Sequence, residues 1–391
     1  MKLTSLAVAL TAGIVALSTT TPASANVRIG VTGAFSGPVA AVGEDQYDGF
    51  MLAVKEHGDK LGGQKVTVFK RDDQLKPEVG IQNLKELVSK EGVDAVVGLG
   101  FSNVVLAMRE LLAQSGLPAI ATNSGPSELA GKNCTANIFS TAWPNDGAAE
   151  VAGIYAQKHG LHDMFLMAPN YQAGKDMLAG FKRFYKEKPV GEVYTPVGQT
   201  NYTTDITRIQ MANARSVFSF YPGGMGVSFV KQLSQTGLLK SLKYLSVFTL
   251  EETTLPAVKG AAAGALSAAW WSPALDNAVN KKFVSDFEAE YHRTPSLYAA
   301  AAYDAGNFLN WAIGHTGADY KDHAKLTAAI KQAATQVPSV RGYFAFNVNN
   351  LPIQNYYMIG FENQNGKIVP KVLETTVEKH KDAFYTQCKM S

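Results

Sequence analysis

Cysteine is scarce. The 391-residue chain has two, Cys134 and Cys388. The seven histidines are dispersed, and His159 and His162 flank a glycine turn after a helical stretch, where a solvated histidine is the ordinary reading. A zinc site wants more ligands at paired spacing, so no metal is expected. No nucleophile elbow of the G-x-S-x-G form occurs, and no Walker A motif. Gly98-Leu99-Gly100 lacks the third glycine of a dinucleotide fingerprint. No catalytic residue and no cofactor are therefore expected. Lysine and arginine are scattered, with a formal net charge of +3 and no basic run or aromatic-interleaved patch. That excludes nucleic acid as the expected partner. After the first residues, no apolar stretch reaches membrane length.

What is present begins at the N-terminus. Lys2 is followed by an uncharged apolar stretch, Leu3 to Leu17, and then by the small residues Pro22-Ala23-Ser24-Ala25. This pattern predicts a secretory signal peptide over residues 1–25, cleaved after Ala25. The mature chain, Asn26 to Ser391, is 46% apolar and 18% charged when counted with its leader. Its length predicts about two domains. In an oxidising compartment an even pair of cysteines predicts one disulfide, Cys134 to Cys388.

Short β-branched stretches alternate with helix-length amphipathic ones along most of the chain. Val27 to Thr32, Lys65 to Arg71, Asp94 to Leu99 and Leu117 to Thr122 read as strands. Gly43 to Glu56, Pro77 to Lys90 and Asn103 to Ser115 read as helices between them. The pattern restarts after Pro144. Strands joined by such helices imply right-handed crossovers and parallel sheets, hence an α/β fold with two lobes and a cleft.

Ile29-Gly30-Val31-Thr32-Gly33-Ala34-Phe35-Ser36-Gly37-Pro38, followed by Gly43 and Gly49, resembles the start of the leucine/isoleucine/valine-binding protein family. Arg71-Asp72-Asp73, Val96-Val97-Gly98, Ser127-Glu128-Leu129, Asn170-Tyr171 before Gly174, and Tyr298 to Asp304 follow in the expected order. The resemblance spans nearly the whole mature chain. It implies the substrate-binding protein of an ABC importer: a type I periplasmic-binding fold, two lobes with mostly parallel sheets flanked by helices, and three hinge crossings. Lobe one is expected over 26–141 plus 276–340, lobe two over 143–271 plus 342–372, and a C-terminal tail over 373–391. The implied partners are a small-molecule carboxylate ligand and an inner-membrane permease. The protein is expected in the periplasm, as a monomer. A periplasmic sensor docking on a receptor is an alternative use of the same fold.

Ligands of such lobes bind at strand carboxyl ends. Ser102 follows one of these ends as a helix N-cap, where its hydroxyl and the free helix N–H groups suit an anion. Asn123-Ser124-Gly125 follow the next strand, with Gly125 allowing close backbone approach. In the resembled family these loops grip an amino-acid carboxylate, and Ser102 falls on the binding serine. Tyr171 and Tyr221 are expected to cover the ligand from lobe two. The family's amino-acid binders place an acid near Phe248, but here Glu251 and Glu252 arrive only afterwards. A buried ammonium without a counter-charge is costly. With Phe35, Phe101, Trp143, Trp270 and Trp271 expected near the cleft, the sequence favours an aromatic acid. A branched-chain amino acid is the alternative, should Glu251 enter the site.

Overall fold

The computed structural model describes residues 26–390; the expected signal peptide and its cleavage point lie outside the described residues. The β-branched run at the start of the mature chain forms β1 (Val27–Gly33), the centre of a six-stranded sheet. Its other strands are β2 (Lys60–Leu61), β3 (Gln64–Asp72), β4 (Ala95–Gly98), β5 (Ala119–Ala121) and β6 (Ile138–Ser140). Their order is β2-β3-β1-β4-β5-β6, and only the β2–β3 pair is antiparallel.

The second sheet has eight strands. β7 (Met164–Pro169), β8 (Gly191–Thr195), β9 (Ser216–Phe220), β10 (Lys243–Val247) and β11 (Leu266–Ala269) are mutually parallel. β12 (Phe344–Phe346), β13 (Pro352–Gln364) and β14 (Lys367–His380) add an antiparallel edge. The lobe limit expected at 372 falls inside β14. The expected tail therefore begins as eight further residues of the second sheet's hairpin, and leaves the strand after His380.

The chain passes between the lobes three times: from β6 to β7, from β11 to the helix Ala278–Tyr291, and from the helix His323–Gln336 to β12. The helices Ala278–Tyr291 and Leu297–Thr316 pack on the helix Ala40–Glu56, which belongs to the first sheet's lobe. Gly49 makes that approach possible, since a Cβ there would lie 2.2 Å from the Ala299 carbonyl oxygen. An α-helix buries such small residues where two backbones touch.

One buried side chain joins all three passages. Arg341, on the third, donates to the Thr141 and Ala142 carbonyls of the first at 2.5 and 3.2 Å. Its guanidinium lies 3.7 Å from the ring centre of Trp270, on the second. Asp304 supplies the counter-charge at 3.0 Å, and both residues are buried. Burial pulls the Arg341 guanidinium down to about 10, so it stays charged at neutral pH. This hub fixes the passages to one another where the lobes must hinge.

Candidate functional site

The carboxyl ends of β4 and β5 face those of β7, β9 and β10 across a narrow gap of about 10 Å3, room for roughly one water molecule. Its walls come from both lobes and from the first passage.

One end of the gap suits an anion. After β4 the chain runs through Gly100 and Phe101 into the helix Ser102–Ser115. The structure corrects the expected cap: Phe101, extended at φ −132°, is the N-cap, and its carbonyl accepts from the Val104 and Val105 N–H groups. Ser102 is the first helical residue and is buried against the gap. No side chain caps this helix start, so its first N–H groups are free to meet an anion together with the helix dipole. The Ser102 hydroxyl accepts from Asn145 Nδ2 at 3.0 Å, which leaves its own proton free to donate. Asn123 lines the same end.

The other end is aromatic. Trp143 and Phe248 stack with centroids 4.3 Å apart. Phe220 meets Phe248 edge-on at 6.2 Å, and Tyr171 stacks on Phe220 at the same separation. Tyr298 closes the wall 6.0 Å from Trp143. Phe248 stands just past β10 at φ +51°, a left-handed backbone that holds about 1–3 kcal/mol of strain in a bulky residue. Such an outlier persists where the surroundings fix it, here by aiming the ring into the gap. Two buried polar atoms in this wall lack a partner: Trp143 Nε1 and Tyr298 Oη. Burial raises the Tyr171 and Tyr298 hydroxyls far above their usual pKa, so both remain neutral.

Among the described residues, no carboxylate or cation lines the gap. Glu251 turns back onto its own loop, accepting from the Thr253 N–H at 2.8 Å and from the Thr253 hydroxyl. Burial pushes its carboxyl up to about 7.

Six of the expected residues thus come together: Phe101, Ser102, Asn123, Trp143, Tyr171 and Phe248. Four do not. Ser124 is buried behind the wall, donating to the Leu99 carbonyl at 2.6 Å and so tying the two loops together. Gly125 approaches the Trp143 carbonyl, where a Cβ would lie 2.0 Å from its oxygen, so its close approach serves packing. Tyr221 points into the second lobe, accepting from Thr195 at 3.2 Å and packing on Tyr202 and Phe229. Phe35 packs edge-on against Tyr47 under the Lys70 ammonium. Trp270 lies under Arg341, and Trp271 donates to Asn280. Asn145, Phe220 and Tyr298 were not expected in the wall. Tyr298 stood in the sequence only as the first residue of the Tyr298 to Asp304 match to the resembled family.

The sequence profile of the family described as "Periplasmic binding protein" matches residues 26–367. The chain belongs to this family. As read from the sequence, it is a type I member, of the leucine/isoleucine/valine-binding class of ABC-importer substrate-binding proteins. The Leu/Ile/Val-binding protein homolog 6 of Brucella melitensis is 28% identical over 315 residues, covering 78% of this chain and 80% of its own length. A solute-binding protein of an R. palustris ABC transporter, solved in complex with benzoate, superposes with a TM-score of 0.88 at 27% identity. The match covers 94% of this chain and 100% of that one. A second R. palustris solute-binding protein, in complex with 4-hydroxybenzoate, gives 0.85 at 26% identity over 91% and 98%. No described helix of this periplasmic binding protein is long and apolar enough to cross a membrane.

Proposed function

We propose that this protein captures an aromatic carboxylate outside the cytoplasmic membrane and delivers it to an ABC permease. The observation that carries the reading is the pairing of an uncapped helix start at Ser102 with an aromatic wall that holds no carboxylate. An amino acid bound there would bring an ammonium with no counter-charge, a penalty of several kcal/mol by the usual order of such burials. A flat ring entering beside Phe248 would stack on it, as Trp143 does. The Trp143 indole N–H and the Tyr298 hydroxyl suit a ring hydroxyl, which answers both unpaired groups. The benzoate and 4-hydroxybenzoate complexes of the two R. palustris relatives support the same ligand class. A gap this small requires the lobes to part for entry, which three connections permit as a hinge. The signal sequence and cleavage after Ala25 belong to the same proposal.

The name of the Brucella relative supports a second reading, a branched-chain amino acid. Calorimetric competition between leucine and 4-hydroxycinnamate decides between the two. The aromatic acid should bind at least about tenfold more tightly, roughly 1.4 kcal/mol. Ser102→Ala should weaken it by roughly 1–3 kcal/mol, as loss of a charged hydrogen bond does. Phe248→Glu should narrow its lead over leucine. Leucine winning on the unmutated protein would sink the aromatic assignment.

A further inference from the structure

Beside the anion end of the gap lies a carboxylate that the ligand does not need. Asp176 sits on the helix Gln172–Phe184 of the second lobe and is buried. Among the described residues no lysine or arginine pairs with it. Its charge is met by hydrogen bonds alone, and two of them cross the cleft. The Ser127 N–H and hydroxyl, on the first lobe, donate to it at 3.1 and 2.6 Å. Gln172 Nε2, on its own helix, donates at 2.9 Å. The remaining donor is Asn145 Nδ2, at 2.9 Å.

Asn145 is also the residue that touches Ser102. The same amide nitrogen donates to the Ser102 hydroxyl and to Asp176. Its carbonyl oxygen accepts from the Gly125 N–H at 3.2 Å, and its backbone N–H donates to the Gly125 carbonyl at 2.7 Å. Every hydrogen-bonding group of this side chain is thus committed, and the amide has one usable orientation. We propose that Asn145 is a positioning residue that couples an anion at Ser102 to a latch between the lobes, the Asp176–Ser127 pair. The proposal rests on the reading that the ligand carboxylate meets Ser102.

The coupling follows from hydrogen-bond polarisation. A serine hydroxyl that donates to a carboxylate becomes a better acceptor. An anion at Ser102 therefore strengthens the bond from Asn145 and holds its amide where the second proton faces Asp176. With the lobes closed, Ser127 completes the shell of that carboxylate. When they part, the two Ser127 bonds break and the carboxylate must be hydrated instead. The latch acts after encounter, so it belongs to dissociation and not to association.

Ser127 and Asp176 do not line the gap, so they can be changed without touching the ligand. In stopped-flow binding of benzoate and of isoleucine, Ser127→Ala and Asp176→Asn should raise the dissociation rate about tenfold, a loss of about 1.4 kcal/mol. Association should be unchanged, and Ser127→Thr, which keeps the hydroxyl, should restore slow release. Both probes carry a carboxylate, so the effect should appear for whichever binds, even if isoleucine proves tighter and the aromatic reading fails. Dissociation rates equal to the parent's for every probe that binds would overturn the latch. If neither probe binds, amide exchange at Ser127 in the free protein decides. Faster exchange in Asp176→Asn supports the latch, and equal exchange overturns it.

Discussion

Glu251 is the residue on which the ligand class turns, and its environment makes a prediction of its own. Its carboxyl sits near 4.5 ordinarily and is pushed up to about 7 in the folded chain by burial. Between those values the folded state holds a proton that the unfolded state releases. Stability should therefore fall as pH rises from about 4.5 to 7, by at most roughly 3 kcal/mol from this group. Asp48 and Asp73, both pushed up to about 6 by burial, slope the same way. Urea unfolding at several pH values should show a shallower decline in Glu251→Gln than in the parent; parallel curves would remove Glu251 as a contributor. At this scale the sequence was informative where a residue type had one plausible use. Ser102 opens a helix beside a strand end, and Phe248 stands where an acid was expected. It misled where a choice of face was involved. Phe220 and Tyr221 are adjacent aromatics at the end of β9, and strand alternation sends one to the cleft and the other to the core. Nothing in the two side chains says which, and the expectation chose Tyr221.

The elements that sequence patterning found are those with a strong period or a buried run. β1, β3 and β4 emerge within a residue of their expected ends: β1 and β4 because a parallel strand covered on both faces reads as a plain apolar run, β3 because its residues alternate. The helix Ala40–Glu56 begins three residues before the expected Gly43, and the helix Pro77–Glu86 reaches Glu91 only through a π-helical turn. The short strands β6 and β11, Ile-Phe-Ser and Leu-Ser-Ala-Ala, are too brief to show any period. β14 was missed for a different reason. It is fourteen residues long, carries Pro370 and buries only Ile368. It exists because β13 offers a long edge to pair with, a tertiary cause that leaves no hydrophobic signature. The hinge passages were expected only through the family resemblance, and Arg341 gave no sign that it would gather all three. That hub can be tested. Arg341→Met removes the counter-charge and leaves Asp304 buried and unpaired, so it should destabilise by about 3–5 kcal/mol. Adding Asp304→Asn should recover a large part of that loss, because the uncompensated charge is then gone. Urea denaturation of the two variants measures it, and a single variant as stable as the parent would mean that the pair holds nothing together.

Across the whole molecule, the chain end adds a fourth tie between the lobes. After β14 leaves the second sheet at His380, Asp382 accepts from Asn347 and Asn349 in the β12–β13 turn, at 3.4 and 2.9 Å. That turn itself docks on the first lobe, where Asn349 donates to the Ala130 carbonyl at 2.7 Å. The Phe384 ring then lies 5.4 Å from the Arg183 guanidinium of the second lobe. Cys388 is joined to Cys134 by a disulfide, with the Cα atoms 5.6 Å apart and a sequence separation of 254. Cys134 follows the short helix Ser127–Ala130, the segment whose first residue meets Asp176. The bond therefore pins the C-terminus on the first lobe beside the proposed latch. In the chain-entropy model a loop of this length constrains the unfolded state by about 5 kcal/mol, while native disulfides in practice contribute about 2–5. The replacement of both cysteines by serine should lower the unfolding free energy within that range. Thiol titration of the unfolded, unreduced protein should find none free. Two free thiols per chain would leave the tail held only by Asp382 and Phe384, and the double serine variant would then be as stable as the parent.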